Sequence, residues 1–178
     1  MEDAIAALAA RQHVVFGLDQ LVALGLSVSA VHKRTAVGRL HRIHQTVYSL
    51  VPPNLLTREG HWLAAALSCG PGAVVSHRTA AKLHGLLAYD GAKLDVTIPG
   101  RRGRRRGHIV IHGSTTLTPK DVTAVNNIPC TTVARTLLDL GEVVGRRRQE
   151  RAFDQADVEE VLDMGAMSDQ LECRPGFV

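Results

Sequence analysis

Glycine cuts this chain into short pieces. Gly25, Gly38, the triplet Gly70-Pro71-Gly72 and Gly141 each close a short apolar pattern, and none of those patterns resumes across its stop. A chain punctuated in this way folds from short helices and strands packed in layers, not from a long coiled coil or a membrane-spanning helix. Its 178 residues suffice for one ordinary domain or two small ones without metal or disulfide staples. Hydrophobic residues make up 45% and charged residues 21%, so wholesale disorder is excluded.

Between the stops the first region reads as three helices and a hairpin. Ile5 and Leu8 recur at helical spacing in Ala-rich sequence, which predicts a first helix ending near Arg11. A second helix is expected from Leu18 to Leu24, with Asp19 in its first turn, where a negative charge suits the helix dipole. Ser27 is a good N-cap for a third helix through Val37. Its inward stripe is expected to be Val28, Val31 and Thr35, leaving Ser29, His32, Lys33 and Ala36 outward. Arg39–His44 and Val47–Leu50 read as two strands, with only Gln45-Thr46 between them for a turn. Pro52 and Pro53 mark a boundary.

Beyond that boundary, Thr57 is expected to cap a helix through about Cys69. A short strand over Ala73–Ser76 and a helix over Thr79–Leu86 follow. Leu94, Val96 and Ile98 alternate with Asp95 and Thr97, a strand signal, and Ile109 and Ile111 mark the expected hairpin partner. Val122–Val125 reads as another strand, and Thr132 caps a helix carrying Val133, Leu137 and Leu140. The last region is expected to be helical from Arg146 to Leu162, with Phe153, Ala156 and Val161 inward, and again from Ala166 to Leu171.

Charge is unevenly distributed. Residues 1–50 carry five Lys/Arg against three Asp/Glu, residues 51–141 eleven against five, and residues 142–178 five against nine. The net charge of +4 therefore hides a basic centre and an acidic tail. A basic chain suits a polyanionic partner, but 3% aromatics argues against a surface that stacks single-stranded bases. Cys69, Cys130 and Cys173 follow no paired spacing, which suits a reducing compartment. The first residues lack a basic and apolar leader, and apolar runs such as Trp62–Leu67 are too short to span a bilayer. A cytoplasmic protein is the expectation.

Helix, turn, helix and a two-stranded ribbon make the winged helix-turn-helix arrangement. A helix fits the major groove, and outward residues near its N-terminal half meet base edges. Ser29, His32 and Lys33 are the base-facing candidates, and Arg39, Arg42 and His44 the candidates for phosphate or minor-groove contact. The arginine run is the sharpest single feature: Arg101, Arg102, Arg104, Arg105 and Arg106 fill five of six positions between two strand signals. It reads either as a solvated hairpin loop or as a clamp on DNA phosphate, RNA or an acidic protein surface. Arg135 and Asp139, four apart, suit a pair on one helix face, and Ser76, Thr131 and Thr132 suit helix capping. His41 with His44, or His108 with His112, are conceivable ligand pairs, but no nearby cysteine or carboxylate cluster completes either. Neither a G-x-S-x-G elbow nor a P-loop occurs, so no enzyme, metal, cofactor or small-molecule substrate is expected.

The stretches Ala4–His13, Leu21–Ser27, Gly38–His44 and Val47-Tyr48 together resemble the N-terminal domain of the AbiEi-family antitoxins of type IV toxin–antitoxin (abortive infection) systems. The resemblance continues through Leu56–Gly60, Gly70–Arg78, Asp95–Gly100 and Ile128–Leu140. It implies an α+β protein with a winged helix-turn-helix over residues 1–52, an α+β antitoxin domain over 53–141 and an acidic helical tail over 142–178. It also implies a repressor that acts on its own operon at inverted repeats in double-stranded DNA, with a nucleotidyltransferase-like toxin as protein partner. The third helix takes the recognition role, and Arg39 and Arg42 fall at basic wing positions. Many relatives carry a Vsr-like nuclease domain further on, and no Asp followed by Glu-x-Lys provides such a site here. The alternative is therefore a non-catalytic interaction module left from a nuclease-fused relative. Two departures stand out: Gln45-Thr46 replaces a glycine-containing wing turn, and Phe16-Gly17 replaces a Ser or Thr cap on the second helix.

Overall fold

The computed structural model describes residues 2–88, 93–100 and 104–172. The chain is α+β and divides into two compact units, Met1–Pro71 and Gly72–Val178.

The first unit begins with α1 (Glu2–Arg11), β1 (Val15–Gly17), α2 (Leu18–Ala23) and α3 (Val28–Ala36). A hairpin of β2 (His41–His44) and β3 (Val47–Ser49) follows, then α4 (Arg58–Cys69). Ser27 caps α3 as expected, its Oγ accepting from Ala30 N at 3.1 Å. Leu26 before that cap and Val31 one turn inside the helix share one core, a hydrophobic staple that sets the entry angle of α3. The inward stripe therefore starts at Val31, and Val28 is 46% exposed instead of buried. The missing Ser or Thr cap on α2 is partly replaced by Gln20, whose side chain returns to accept from Gly17 N at 2.9 Å.

Sequence periodicity missed β1, which is only three residues long. It pairs antiparallel with β3, so the hairpin is part of a three-stranded sheet in the order β1-β3-β2. Ile5, Phe16, Leu21, Val31, Leu40 and Tyr48 bury the unit's core. Helix α4 packs on β1, β2 and β3, with Trp62 and Leu63 buried. That packing carries the first unit beyond the expected boundary at residue 52.

The second unit is built on a mixed sheet. Its strands are β4 (Val74–Val75), β5 (Leu94–Pro99), β6 (Arg104–Arg106), β7 (Ile109–Ser114), β8 (Val122–Val125) and β9 (Ile128–Thr131). The sheet order is β6-β7-β5-β4-β9-β8. Helices α5 (His77–Leu83), α6 (Val133–Leu140), α7 (Arg146–Val158) and α8 (Met164–Glu172) supply the helical layer. Ala81, Leu137, Leu140, Ala152, Ala156 and Met167 share a core, so the acidic tail packs on α6 within this unit. Helix α7 stops at Val158, earlier than expected, and Val161 is exposed.

The expected hairpin between the strands around Val96 and Ile111 does not form. Strands β5 and β7 pair in parallel, with Val96 opposite Ile111, and β7 makes its hairpin with β6. Two-residue alternation marks a strand but carries no direction, so it left the pairing open. The alternation also misled about exposure. Leu94, Asp95, Val96 and Thr97 are all buried, because β5 is an interior strand.

Candidate nucleic-acid interface

Residues from α3 and the β2–β3 hairpin carry the predicted contacts. Ser29, His32 and Lys33 are exposed along α3, and Ala36 continues the same face. They lie at i, i+3 and i+4 spacing, one ridge of a helix whose opposite side is anchored by Val31. Arg39 and Arg42 are exposed, and His44 is half-buried. Arg42 Nε donates to the carbonyl of His44 at 3.3 Å, which steadies the guanidinium at the hairpin end. The strand register shifts between Arg42 and His44, just before the two-residue turn Gln45-Thr46. Arg34, which the sequence did not single out, is committed elsewhere: its Nη2 pairs with Glu2 at 2.6 Å.

Residues 3–51, from α1 through β3, match the family described as transcriptional regulator, AbiEi antitoxin. The matched residues lie wholly within the first unit. No curated protein matches the chain. Among the described residues, no helix is long and apolar enough to cross a membrane.

The arginine run lies outside the matched residues. Arg101 and Arg102 fall outside the described residues, while Arg104–Arg106 form β6 at one end of the sheet. The expected loop therefore gives way to an edge strand over its second half. Arg106 is exposed.

The second unit holds two buried polar networks, of which the sequence pointed only to the Arg135–Asp139 pair. In the first, Asp95 is completely buried, and Arg78 grips it with two bonds, Nε to Oδ2 at 2.7 Å and Nη2 to Oδ1 at 2.8 Å. His112 Nε2 lies 2.9 Å from Asp95 Oδ1. Instead of joining His108 as a ligand pair, the His112 ring stacks on His77, with centroids 3.7 Å apart. Ser76 does not cap α5 through its side chain; its Oγ meets His77 Nδ1 at 2.9 Å.

In the second network, Arg135 and Asp139 do pair, but in the core and not on a helix surface. Arg135 Nε donates to both carboxylate oxygens of Asp139, at 2.9 and 3.1 Å. Its Nη2 reaches Ser114 Oγ at 3.0 Å, and its Nη1 lies 3.5 Å from Asp121 Oδ2. Thr132 caps α6 as expected, accepting from Arg135 N, whereas Thr131 Oγ1 bonds Thr136 Oγ1 at 2.6 Å. Arg78 and Asp95, and Arg135 and Ser114, are far apart in sequence, so local spacing announced only the Arg135–Asp139 pair. Burial also pushes the Cys130 thiol up to about 11, which suits a side chain that packs in the core.

Proposed function

We propose that this chain is a sequence-specific DNA-binding repressor, the antitoxin of a type IV toxin–antitoxin system, acting on its own operon at an inverted repeat. The observation that carries the reading is the exposed ridge of Ser29, His32 and Lys33 on α3 within a domain of AbiEi antitoxin type. In this reading α3 enters the major groove, where donors and acceptors distinguish all four base pairs. The β2–β3 hairpin is the wing, and Arg39, Arg42 and His44 hold phosphate or the minor groove. Arg101, Arg102, Arg104, Arg105 and Arg106 add phosphate contacts that carry no sequence choice. A nucleotidyltransferase-like toxin is the protein partner in this proposal, and the cytoplasm is the compartment.

Footprinting the DNA upstream of its gene tests the proposal. A protected inverted repeat is the expected result, and no protection at moderate salt overturns the repressor claim. The two kinds of contact respond differently to mutation. Lys33→Ala is expected to weaken operator binding by about 1–3 kcal/mol and relax choice at one base position. Arg42→Ala is expected to weaken all DNA roughly equally and to lower the salt slope by about one unit. Binding isotherms on operator and scrambled DNA at three salt concentrations separate the two, and equal effects on every sequence contradict the assigned roles.

A further inference from the structure

The cluster around His77 plays no part in the DNA-binding reading. One ring nitrogen of His77, one of His112 and a carboxylate oxygen of Glu142 lie within 4.8 Å of one another. His77 is only 2% exposed. Its Nδ1 is engaged by Ser76 Oγ, and its buried Nε2 has no hydrogen-bond partner. That Nε2 sits 3.7 Å from Glu142 Oε2. With Nδ1 engaged by Ser76 Oγ, Nε2 is the ring nitrogen that faces the carboxylate. A cation held between that nitrogen and the carboxylate would be a ligand to both.

His112 is prepared in the same way. Donation of its Nε2–H to Asp95 leaves Nδ1 bare, and Asp95 is itself held by the two bonds from Arg78. A carboxylate behind one histidine and a hydroxyl behind the other form the outer shell that fixes tautomer and aim in metal-binding histidines.

We propose that His77, His112 and Glu142 bind a divalent transition ion of the zinc class. Two imidazoles and one carboxylate suit zinc and its neighbours, not calcium or magnesium, which seek oxygen ligands. Metal–ligand bonds of about 2.1 Å place tetrahedral donors about 3.4 Å apart, close to the observed His77–Glu142 separation. Glu142 is half-exposed, so water reaches the ion and completes its shell. A shared ion turns the two imidazoles out of their stack. His77 opens α5, His112 lies on β7 and Glu142 follows α6, so the ion fastens three elements of one unit together.

The test uses the full chain, stripped with a chelator and titrated calorimetrically with zinc chloride, then with cobalt(II) as a spectroscopic probe. The expected result is one ion per chain and the visible absorption of four-coordinate cobalt. Glu142→Gln and His112→Ala should each weaken uptake about tenfold or more, and Ser76→Ala should weaken it less. Glu142→Gln changes an exposed side chain, so an unchanged circular dichroism spectrum separates lost ligation from lost fold. His41→Ala and His44→Ala should leave uptake unchanged. Absence of uptake by the stripped chain overturns the proposal, as does equally tight uptake by Glu142→Gln and His112→Ala. Neither result bears on whether the first domain binds DNA.

Discussion

Arg135→Met is expected to destabilise the second unit by about 3–5 kcal/mol, the usual cost of removing one partner from a buried ion pair. Methionine fills much of the space but none of the charge. Asp139 and Asp121, which are 1% and 2% exposed, would both lose a positive neighbour. Thr118 N and Oγ1 still donate to Asp121, and Gln170 Nε2 also reaches it, so Asp121 keeps these bonds when the guanidinium is lost. Arg135→Lys should fall between, because an ammonium cannot reproduce a fork that meets Asp139, Ser114 and Asp121 together. The exposed pair Arg146–Glu150 is the control, and Arg146→Ala should have little measurable effect. Peptide-resolved hydrogen exchange reads the second unit directly. Trp62, the single tryptophan, lies in the first unit, and its fluorescence should report unchanged unfolding there. Equal losses in the Arg135→Met and Arg146→Ala variants would refute this account of the network.

Asp95→Asn is expected to cost about 3 kcal/mol, at the low end of the same range because Arg78 keeps some contact with water. An amide matches the carboxylate in shape. Its NH2 group, however, must face a donor, whether Arg78 or the Nε2–H of His112. Burial pushes the Asp95 carboxyl up, yet hydrogen bonds from Arg78 and His112 outweigh it and hold the group below the ordinary aspartate value. A carboxyl depressed on folding contributes its full stability above the unfolded value of about 3.9. That contribution fades as the pH falls below this value and through the lowered native one. The native second unit should therefore lose part of its stability below about pH 4, and Asp95→Asn should flatten that acid limb. Hydrogen exchange or circular dichroism from pH 6 to pH 2.5 would show it, and an acid limb unchanged in Asp95→Asn would contradict the assignment.

Local signals made the first unit legible. Ser27, Gly25 and Gly38 marked the ends of α2 and α3, and the outward residues Ser29, His32 and Lys33 followed from helical period alone. Val28 was misplaced because a stripe count takes no account of Leu26, which closes the core from outside the helix. The second unit was legible as a set of elements but not as a sheet. Asn126-Asn127, both at positive φ, was the available sign of the β8–β9 hairpin, since paired asparagines suit that turn. Nothing comparable marked the parallel pairing of β5 with β7. The buried networks were the least legible part. Arg78 and Asp95, or Arg135 and Ser114, meet only after strands and helices have assembled.

The packing of α4 on the small sheet separates two meanings of the word domain. The match to the antitoxin family ends at residue 51, whereas the unit that buries its own core runs to Pro71. A fragment cut at the end of that match would strip Trp62 and Leu63 from β1, β2 and β3 and leave the back of the sheet wet. The smallest portable piece is thus set by the tryptophan-bearing helix, beyond the last residue of that match.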